Sequence, residues 1–256
     1  MSETYVLRRP TYRPGEVDGG AVARSLLHLD SSASRSRDSV SRQLTGLFAD
    51  TWRGRRGDDR YDYRYRDLAA DPVPLISPGF VSLGRRAQRH GPVPLAVVPS
   101  LVRGDDEARE WGLTLPLINE LLAADTVLLG VPMYNFTVPA ALKAWIDRIT
   151  FPGAFTDPGT GQSLLERTKV VVVEARGGCY RPGTPREGFE FQARYLRAYF
   201  TDLGVREENL HFVCAEMTRA ADNPALARFR SMGASSLAAA RSAVTALAAR
   251  LPDGEA

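Results

Sequence analysis

Three segments of this sequence place polar or flat side chains directly after an apolar run. Residues 31–41 (SSASRSRDSVS) are rich in serine, and hydroxyl groups at the start of a helix can donate hydrogen bonds to a phosphate. Residues 131–137 (VPMYNFT) carry two aromatic rings and an amide. Residues 175–178 (ARGG) end in paired glycines, which let backbone N–H groups approach a ligand closely. These residue types suit a ligand with an anionic end and a flat ring.

Each segment also has an ordinary structural interpretation. The serines could cap a helix, Tyr134 and Phe136 could close the core, and the glycine pair could form a tight turn. The two lysines, Lys143 and Lys169, lie outside the serine-rich segment, and no GxGxxG motif occurs. ATP and a classical dinucleotide site are therefore disfavoured, and a single terminal phosphate on a smaller ligand fits better.

The elements that position these segments follow from the periodicity of apolar residues. Strands are predicted at residues 26–30, 61–66, 127–131, 169–174 and 210–214, the second of them a half-exposed edge strand. Helices are predicted over about 40–52, 107–124, 139–149, 189–203 and 224–251, with Pro116 bending the second helix or marking its start. This alternation predicts an α/β fold, a flavodoxin-like doubly wound five-stranded parallel sheet with helices on both faces.

In the flavodoxin-like strand order, the three segments follow the first, third and fourth strands. These strands are adjacent in space, with the topological switch point between the first two. The segments are therefore expected to line one crevice. FMN has the matching layout, because its phosphate and its isoalloxazine ring lie at opposite ends of a ribityl chain.

Two parts of the chain fit this plan less directly. Residues 1–23 are polar and are expected to form a leader or an arm on a partner subunit. Residues 70–106 contain six prolines, which are expected to forbid long regular elements. Because this insertion is also apolar, it is interpreted as a flap over the ligand site, a subunit interface or both. The alternative is an insertion that lies on the protein's own surface.

Composition limits the other partners and the compartment. The net charge of the 256 residues is +3, too small to indicate nucleic acid. The alternating arginines and tyrosines of residues 61–66 are better explained as a solvated sheet edge. The two cysteines, Cys179 and Cys214, have no metal-binding or redox spacing. With no signal peptide and no membrane-spanning segment in the sequence, a cytoplasmic protein without a bound metal is expected.

These motifs resemble those of the FMN-dependent NAD(P)H azoreductases and quinone reductases, which have the flavodoxin-like fold. The resemblance rests on HLDSS, the serine pair that follows it, RDLAADPVP, VPMYNFTVPAALKAWID and VVVEARGG, and it spans about residues 26–251. It implies one FMN-binding domain over residues 24–251. The sequence departs from the family at Ala175, where serine is frequent, and at Phe155, where a tyrosine is expected.

The resemblance implies a role for individual residues. The FMN phosphate would contact Ser32, Ser39, Val40 and Ser41. The isoalloxazine and ribityl groups would contact Pro132, Met133, Tyr134, Asn135 and Phe136. The pyrimidine end of the ring would meet Ala175, Arg176, Gly177 and Gly178, and the substrate pocket would include Phe155 and Tyr199.

The implied activity is reduction of a small aromatic acceptor, a quinone or an azo compound. NADH or NADPH would reduce FMN, and the acceptor would then take hydride in a ping-pong sequence. The flavin would supply the chemistry, so no catalytic side chain is expected. Family members are usually homodimers, and the same is expected here. A specialised biosynthetic reductase and a flavodoxin-like electron carrier are the alternatives.

Overall fold

The computed structural model describes residues 24–35, 37–55 and 61–251. The predicted leader or arm, residues 1–23, lies outside the described residues. The strands are β1 (Arg24–Asp30), β2 (Tyr61–Asp67), β3 (Thr126–Pro132), β4 (Lys169–Ala175) and β5 (Leu210–Ala215). They form a parallel sheet in the order β2-β1-β3-β4-β5. The predicted fold class, strand order and edge position of β2 are confirmed.

Helices cover both faces of the sheet. They are α1 (Val40–Gly54), α2 (Pro78–Arg89), α3 (Gly104–Leu122), α4 (Ala140–Ile149), α5 (Gln192–Asp202) and α6 (Arg230–Arg250). Short 3₁₀ helices lie at Val98–Leu101, Glu187–Phe189, Glu207–Asn209 and Pro224–Phe229. None of the helices in the described ranges combines the length and apolar composition needed to span a lipid bilayer.

Successive residues of the central strands point to opposite faces, so the sheet separates two cores. One core contains Val127 and Leu129 of β3 and is covered by α2, α3, α4 and α5. The other contains Leu128 of β3 and is covered by α1 and α6. Because both faces are buried, β3 is apolar along its whole length, as its sequence indicated.

The expectation that prolines exclude regular structure from residues 70–106 is wrong in part. Pro78 occupies the first turn of α2, where its missing N–H leaves no bond unmade, and Ser77 caps this helix. Phe80 and Leu83 of α2 are buried in the core beneath α2–α5. Pro116 also lies inside α3 and does not mark its start. The role of this segment as a flap stays a prediction.

Gly130 of β3 makes room for the buried carboxylate of Asp30 beside α1. A Cβ added at Gly130 would lie 2.1 Å from Asp30 Oδ1 and 3.1 Å from Thr45 Cγ2. Asp30 is 3% exposed, and its Oδ1 accepts a hydrogen bond from Thr45 Oγ1 at 2.9 Å. Because Gly130 has no side chain, Asp30 at the carboxyl end of β1 has space to bond to Thr45 of α1.

Replacement of Gly130 by alanine is expected to destabilise the fold. The added methyl group must displace Asp30 or Thr45, which costs about 1–3 kcal/mol in a packed interior. Gly46→Ala in α1 is the matched control, because an added Cβ there has no heavy atom within 4 Å. That control is expected to raise the free energy of unfolding by about 0.5–1 kcal/mol. Urea denaturation monitored by tryptophan fluorescence measures both values, and equal stabilities would contradict the role of Gly130.

Candidate functional site

The carboxyl ends of β1, β3 and β4 meet at one edge of the sheet, because these strands are parallel and adjacent. The serine-rich segment follows β1, residues 133–137 follow β3, and residues 176–178 follow β4. The three segments therefore lie side by side. Open α/β sheets bind their ligands at this edge.

Two adjoining cavities open between these segments. The inner cavity has a volume of about 520 Å³, and the outer cavity has a volume of about 630 Å³. They share Met133, Gly177, Arg219 and Asn223 in their walls. Each volume lies within the range of about 300–1,000 Å³ that is typical of small-molecule sites.

Most of the residues predicted to contact the cofactor line these cavities. They are Ser32, Ser39, Val40, Pro132, Met133, Tyr134, Asn135, Phe136, Ala175, Gly177 and Gly178. Ser41 and Arg176 belong to the same segments but are buried behind the walls. The structure therefore brings the three segments together in space, and their contact with a cofactor stays a prediction.

Phe155 and Tyr199 lie away from both cavities. Phe155 is 5% exposed and packs in the core beneath α2–α5. Tyr199 packs against the same core, and its hydroxyl lies 2.9 Å from Thr150 Oγ1. Burial raises the pKa of Tyr199. Their predicted place in a substrate pocket has no geometric support within this chain.

Buried Arg42 holds the serine-rich segment in place. Its Nη2 donates to the carbonyl oxygen of Ser32 at 2.7 Å and to Asp67 Oδ1 at 2.7 Å. Its Nη1 donates to Asp67 Oδ2 at 2.8 Å and to the hydroxyl of Tyr65 at 3.0 Å. One side chain of α1 therefore fixes both the loop after β1 and the end of β2.

Ser39 begins α1 at the wall of the inner cavity. Its Oγ accepts a hydrogen bond from the backbone N–H of Arg42 at 3.4 Å, which makes Ser39 the N-cap. Ser41 Oγ lies 3.2 Å from Ser39 Oγ and is fully buried. The first N–H groups of a helix have no partner within the helix. The start of α1 at Val40 therefore presents hydrogen-bond donors and the positive end of the helix dipole to this cavity.

A strained two-residue turn forms the wall after β3. Tyr134 and Thr137 exchange two backbone hydrogen bonds of 3.0 Å, and the residues between them have positive φ, +47° at Asn135 and +74° at Phe136. This is the pattern of a type I′ turn. Asn tolerates it, whereas a bulky residue at such a φ costs on the order of 1–3 kcal/mol. The turn places the Phe136 ring at the wall of the outer cavity, with its centroid 5.3 Å from that of the Phe189 ring.

Tyr134 connects this turn to the serine-rich segment. Its hydroxyl accepts a hydrogen bond from the backbone N–H of Ala33 at 3.1 Å. The backbone carbonyl of Phe136 accepts from the N–H of Phe191 at 3.2 Å. The turn is thus attached at both ends to segments that follow other strands.

The side chain of Arg176 points into the protein, not toward a ligand. Its Nη2 donates to Glu174 Oε2 at 2.8 Å and lies 3.1 Å from Glu190 Oε1. Its Nε donates to Gln192 Oε1 at 3.2 Å, and Gln192 in turn donates to the carbonyl of Val131 at 2.8 Å. The predicted contact of Arg176 with the ring therefore lacks side-chain support, because nearby carboxylates draw the guanidinium inward.

Glu174 is protonated more readily than an ordinary glutamate. Burial raises its pKa to about 7, a shift that Arg176 opposes and the neighbouring Glu190 and Glu216 reinforce. Its Oε1 is buried without a hydrogen-bond partner among the described residues. Three carboxyl groups gather around one guanidinium, so a proton on Glu174 relieves their mutual repulsion.

Sequence reasoning missed the loop after β5. Thr218, Arg219, Asp222 and Asn223 of this loop line the inner cavity. The loop is attached to the glycine pair, because Met217 N–H donates to the carbonyl of Gly178 at 3.2 Å. Its residue types are ordinary for a surface loop and carry no chemical signal. The adjacency of β4 and β5 in the predicted strand order was the clue that could have placed it here.

Gly177 permits close packing of the loops after β4 and β5. A Cβ added at Gly177 would lie 2.6 Å from Arg219 Cδ. No acceptor within the described part of the chain takes the N–H of Gly177 or Gly178. Both glycines are partly exposed at the cavity walls, so their N–H groups can donate to water or to a ligand.

Comparison with known proteins places the chain in a family. A family model described as Flavodoxin-like fold matches residues 24–232. An FMN-dependent NADH:quinone oxidoreductase of Nocardia farcinica is 45% identical over 207 residues, which cover 81% of this chain and 89% of the relative. A protein of the same name from Streptomyces coelicolor is 37% identical over 235 residues, covering 90% and 96%. The chain belongs to the flavodoxin-like NADH:quinone oxidoreductase family.

One solved structure shares the fold of this chain. It is an FMN-dependent NADH-azoreductase from Bacillus anthracis, in complex with FMN. It aligns with a TM-score of 0.70 at 21% identity, covering 89% of this chain and 99% of that chain. At this level of identity the likeness shows the fold alone. The resemblance inferred from the sequence motifs is confirmed.

The pH dependence of stability is expected to change when Glu174 is replaced by glutamine. Between its ordinary pKa of 4.5 and its folded pKa of about 7, Glu174 binds a proton in the folded state and loses it in the unfolded state. Its contribution is therefore present at low pH and lost as the pH rises through 7, by at most about 3 kcal/mol. Glu174→Gln removes this titration and should gain stability relative to the native protein as the pH rises.

Urea denaturation between about pH 5 and pH 8 measures this difference. Glu208→Gln, in the exposed turn before β5, is the control and should parallel the native protein. Parallel curves for Glu174→Gln and the native protein would show that Glu174 titrates as an exposed carboxylate does.

Proposed function

We propose that this chain is an FMN-dependent oxidoreductase that uses NADH to reduce quinones and azo compounds. The observation that carries the proposal is the convergence of three strand-end segments on two adjoining cavities. Hydroxyl donors line the inner cavity, and an aromatic ring and free glycine N–H groups line the outer one. The names of the relatives at 45% and 37% identity support the same activity.

The residues of the inner cavity fit the phosphate end of FMN. The hydroxyls of Ser32 and Ser39 line this cavity beside the N-terminus of α1, a favourable site for an anion. Asp38 and Asp222 also line the cavity, and Arg219 lies between the two cavities with the opposite charge. The site thus relies on neutral donors and the helix terminus, with one cation at its outer end.

The residues of the wall that the cavities share, together with the adjoining wall of the outer cavity, fit the ring end of FMN. Met133 and Phe136 offer apolar surface, and Asn135 offers an amide. Gly177 and Gly178 line this region, and their N–H groups have no acceptor among the described residues. Such donors favour negative charge on a bound ring, and they require no reorganisation because the loop is already fixed.

Bound FMN supplies hydride transfer, and the protein supplies orientation and electrostatics. Tyr134 fixes the turn that carries Phe136 against the serine-rich segment. NADH and the acceptor would occupy the outer cavity in turn, which is the arrangement that a ping-pong sequence requires. The space of this cavity also favours an enzyme over an electron carrier, because a carrier needs no second binding site.

A reconstitution experiment tests the proposed function directly. The purified protein is expected to bind one FMN per chain and to show flavin absorption bands after desalting. The loaded protein should then oxidise NADH when a quinone or an azo dye is added, with little oxidation in the absence of FMN. Protein that retains no FMN, or loaded protein that reduces neither class of acceptor, would disprove the proposal.

The Gly177→Ala variant tests whether FMN binds in these cavities. The added methyl group displaces Arg219 and enters the wall shared by the two cavities, so FMN should bind at least tenfold more weakly, about 1.4 kcal/mol. Gly188→Ala is the matched control, since an added Cβ there has no neighbour within 4 Å. If Gly177→Ala has a normal melting temperature and an unchanged FMN affinity, FMN does not bind beside these loops.

We also propose that the protein is a cytoplasmic homodimer that does not bind nucleic acid. The two free cysteines favour a reducing compartment. Large apolar side chains are exposed near the insertion and the outer cavity, including Leu75, Phe189 and Phe191, and such surface favours association. Light scattering coupled to size exclusion is expected to give about twice the mass of one chain, and a monomer at micromolar concentration would exclude the dimer.

A further inference from the structure

The outer cavity carries an excess of positive charge. Arg186, Arg219 and Arg228 line it, and none of the carboxylates that the structure describes does so. The inner cavity differs, because Asp38 and Asp222 accompany Arg219 there. The positive excess is therefore confined to the side where the acceptor would bind.

Arg186 and Arg228 approach aromatic side chains of the protein. Arg186 Nη1 approaches only the hydroxyl of Tyr180, at 3.5 Å, and the guanidinium of Arg228 lies over the ring of Phe229, 4.7 Å from its centroid. Within residues 24–35, 37–55 and 61–251, neither has a carboxylate partner. Arg181, in the same loop as Arg186, instead forms an ion pair with Glu216 at 2.6 Å.

Flat and apolar side chains complete the lining. Phe136, Tyr180 and Phe229 contribute rings, and Met217 and Met232 contribute thioethers. A planar, apolar molecule can pack against such a wall. A guanidinium binds carboxylate and sulfonate-type oxyanions through paired N–H donors. The cavity therefore combines the chemistry for an aromatic body with the chemistry for an anionic substituent.

We infer that the outer cavity selects aromatic acceptors that bear an anionic group, a carboxylate or a sulfonate, and that Arg186 and Arg228 determine this specificity. The inference rests on the proposed function and names the acceptor class. Arg219 is left out of the assignment because it also lines the inner cavity. An anionic group could also come from the phosphates of the nicotinamide cofactor, so the experiment separates these two sources.

The exposure of Arg186 and Arg228 predicts a strong dependence on salt. Both residues are exposed, so they attract an anion through solvent as well as by contact. The Debye length falls from about 30 Å at 0.01 M salt to about 10 Å at 0.1 M. Binding of an anionic acceptor should weaken over this range, whereas binding of a neutral acceptor should not.

A pair of azo dyes tests the inference on the FMN-loaded protein. Methyl red carries a carboxylate, and its methyl ester is the neutral counterpart with the same aromatic body. In the Arg186→Gln/Arg228→Gln double variant, calorimetry should show methyl red bound about tenfold more weakly, as expected for two partly exposed charge contacts. Binding of the ester should be unchanged, and Arg85→Gln on the exposed face of α2 should affect neither dye.

The possible outcomes separate the inference from the proposed function. Equal affinity for the two dyes in the native protein, or equal losses in the double variant, would overturn the inference. A loss confined to NAD⁺ binding would also overturn it, because the arginines would then bind the nicotinamide cofactor. Turnover with NADH is measured separately: dyes that bind with the expected preference but are not reduced would leave the inference intact and disprove the proposed function.

Discussion

The structure of the site depends on the buried guanidinium of Arg42. It joins the carbonyl of Ser32 to the carboxylate of Asp67, so the end of β1, the end of β2 and α1 are fixed relative to one another. Burial alone would raise the pKa of Asp67, but the hydrogen bonds from Arg42 and from the backbone N–H groups of Ala69 and Ala70 together outweigh it, and the pKa is lowered. Arg42 is buried while the Asp67 side chain is 25% exposed, so removing Asp67 would leave a buried guanidinium with one partner fewer. Stability and the shape of the serine-rich segment therefore have a common origin.

Arg176 is the corresponding buried arginine on the other side of the cavities, where it follows β4. Its side chain turns away from them toward Glu174 and Glu190, and this leaves Gly177 and Gly178 at the surface of the site. A buried arginine is thus bonded close to each loop, while Ser32, Ser39, Gly177 and Gly178 of these loops line the cavities. Donors fixed in this way need no rearrangement when a ligand binds, which is the general advantage of a preorganised site.

The sequence was informative where one local rule decides the structure. The apolar run of β3 and the start of a helix near Pro139 each depend on a few neighbouring residues, and both were predicted; the cap at Ser39 was left as an alternative to a ligand contact. The segment around Pro78 was mispredicted because proline disrupts the interior of a helix but is accepted in its first turn. Counting prolines without their position in the helix therefore underestimated the order of residues 70–106.

The features that the sequence did not indicate concern contacts between residues that are distant in sequence. Arg176 stands next to two glycines, and only the fold brings Glu190 and Glu216 close enough to draw it inward. Thr218 and Arg219 reach the cavity because β5 lies beside β4, although their residue types are unremarkable. Phe155 and Tyr199 were assigned by resemblance alone, and their burial follows from the packing of α4 and α5 on the sheet.

The positive φ of Phe136 has a consequence for the way this protein can be improved. Glycine at this position would release the backbone from an unfavourable conformation, and the ring would be lost with it. A substitution that relieves this backbone strain would therefore also remove the ring contacts with Tyr180 and Phe189 and empty one wall of the outer cavity. At this residue, a relaxed backbone and an intact cavity wall exclude each other, because the ring is carried by a backbone conformation suited to glycine.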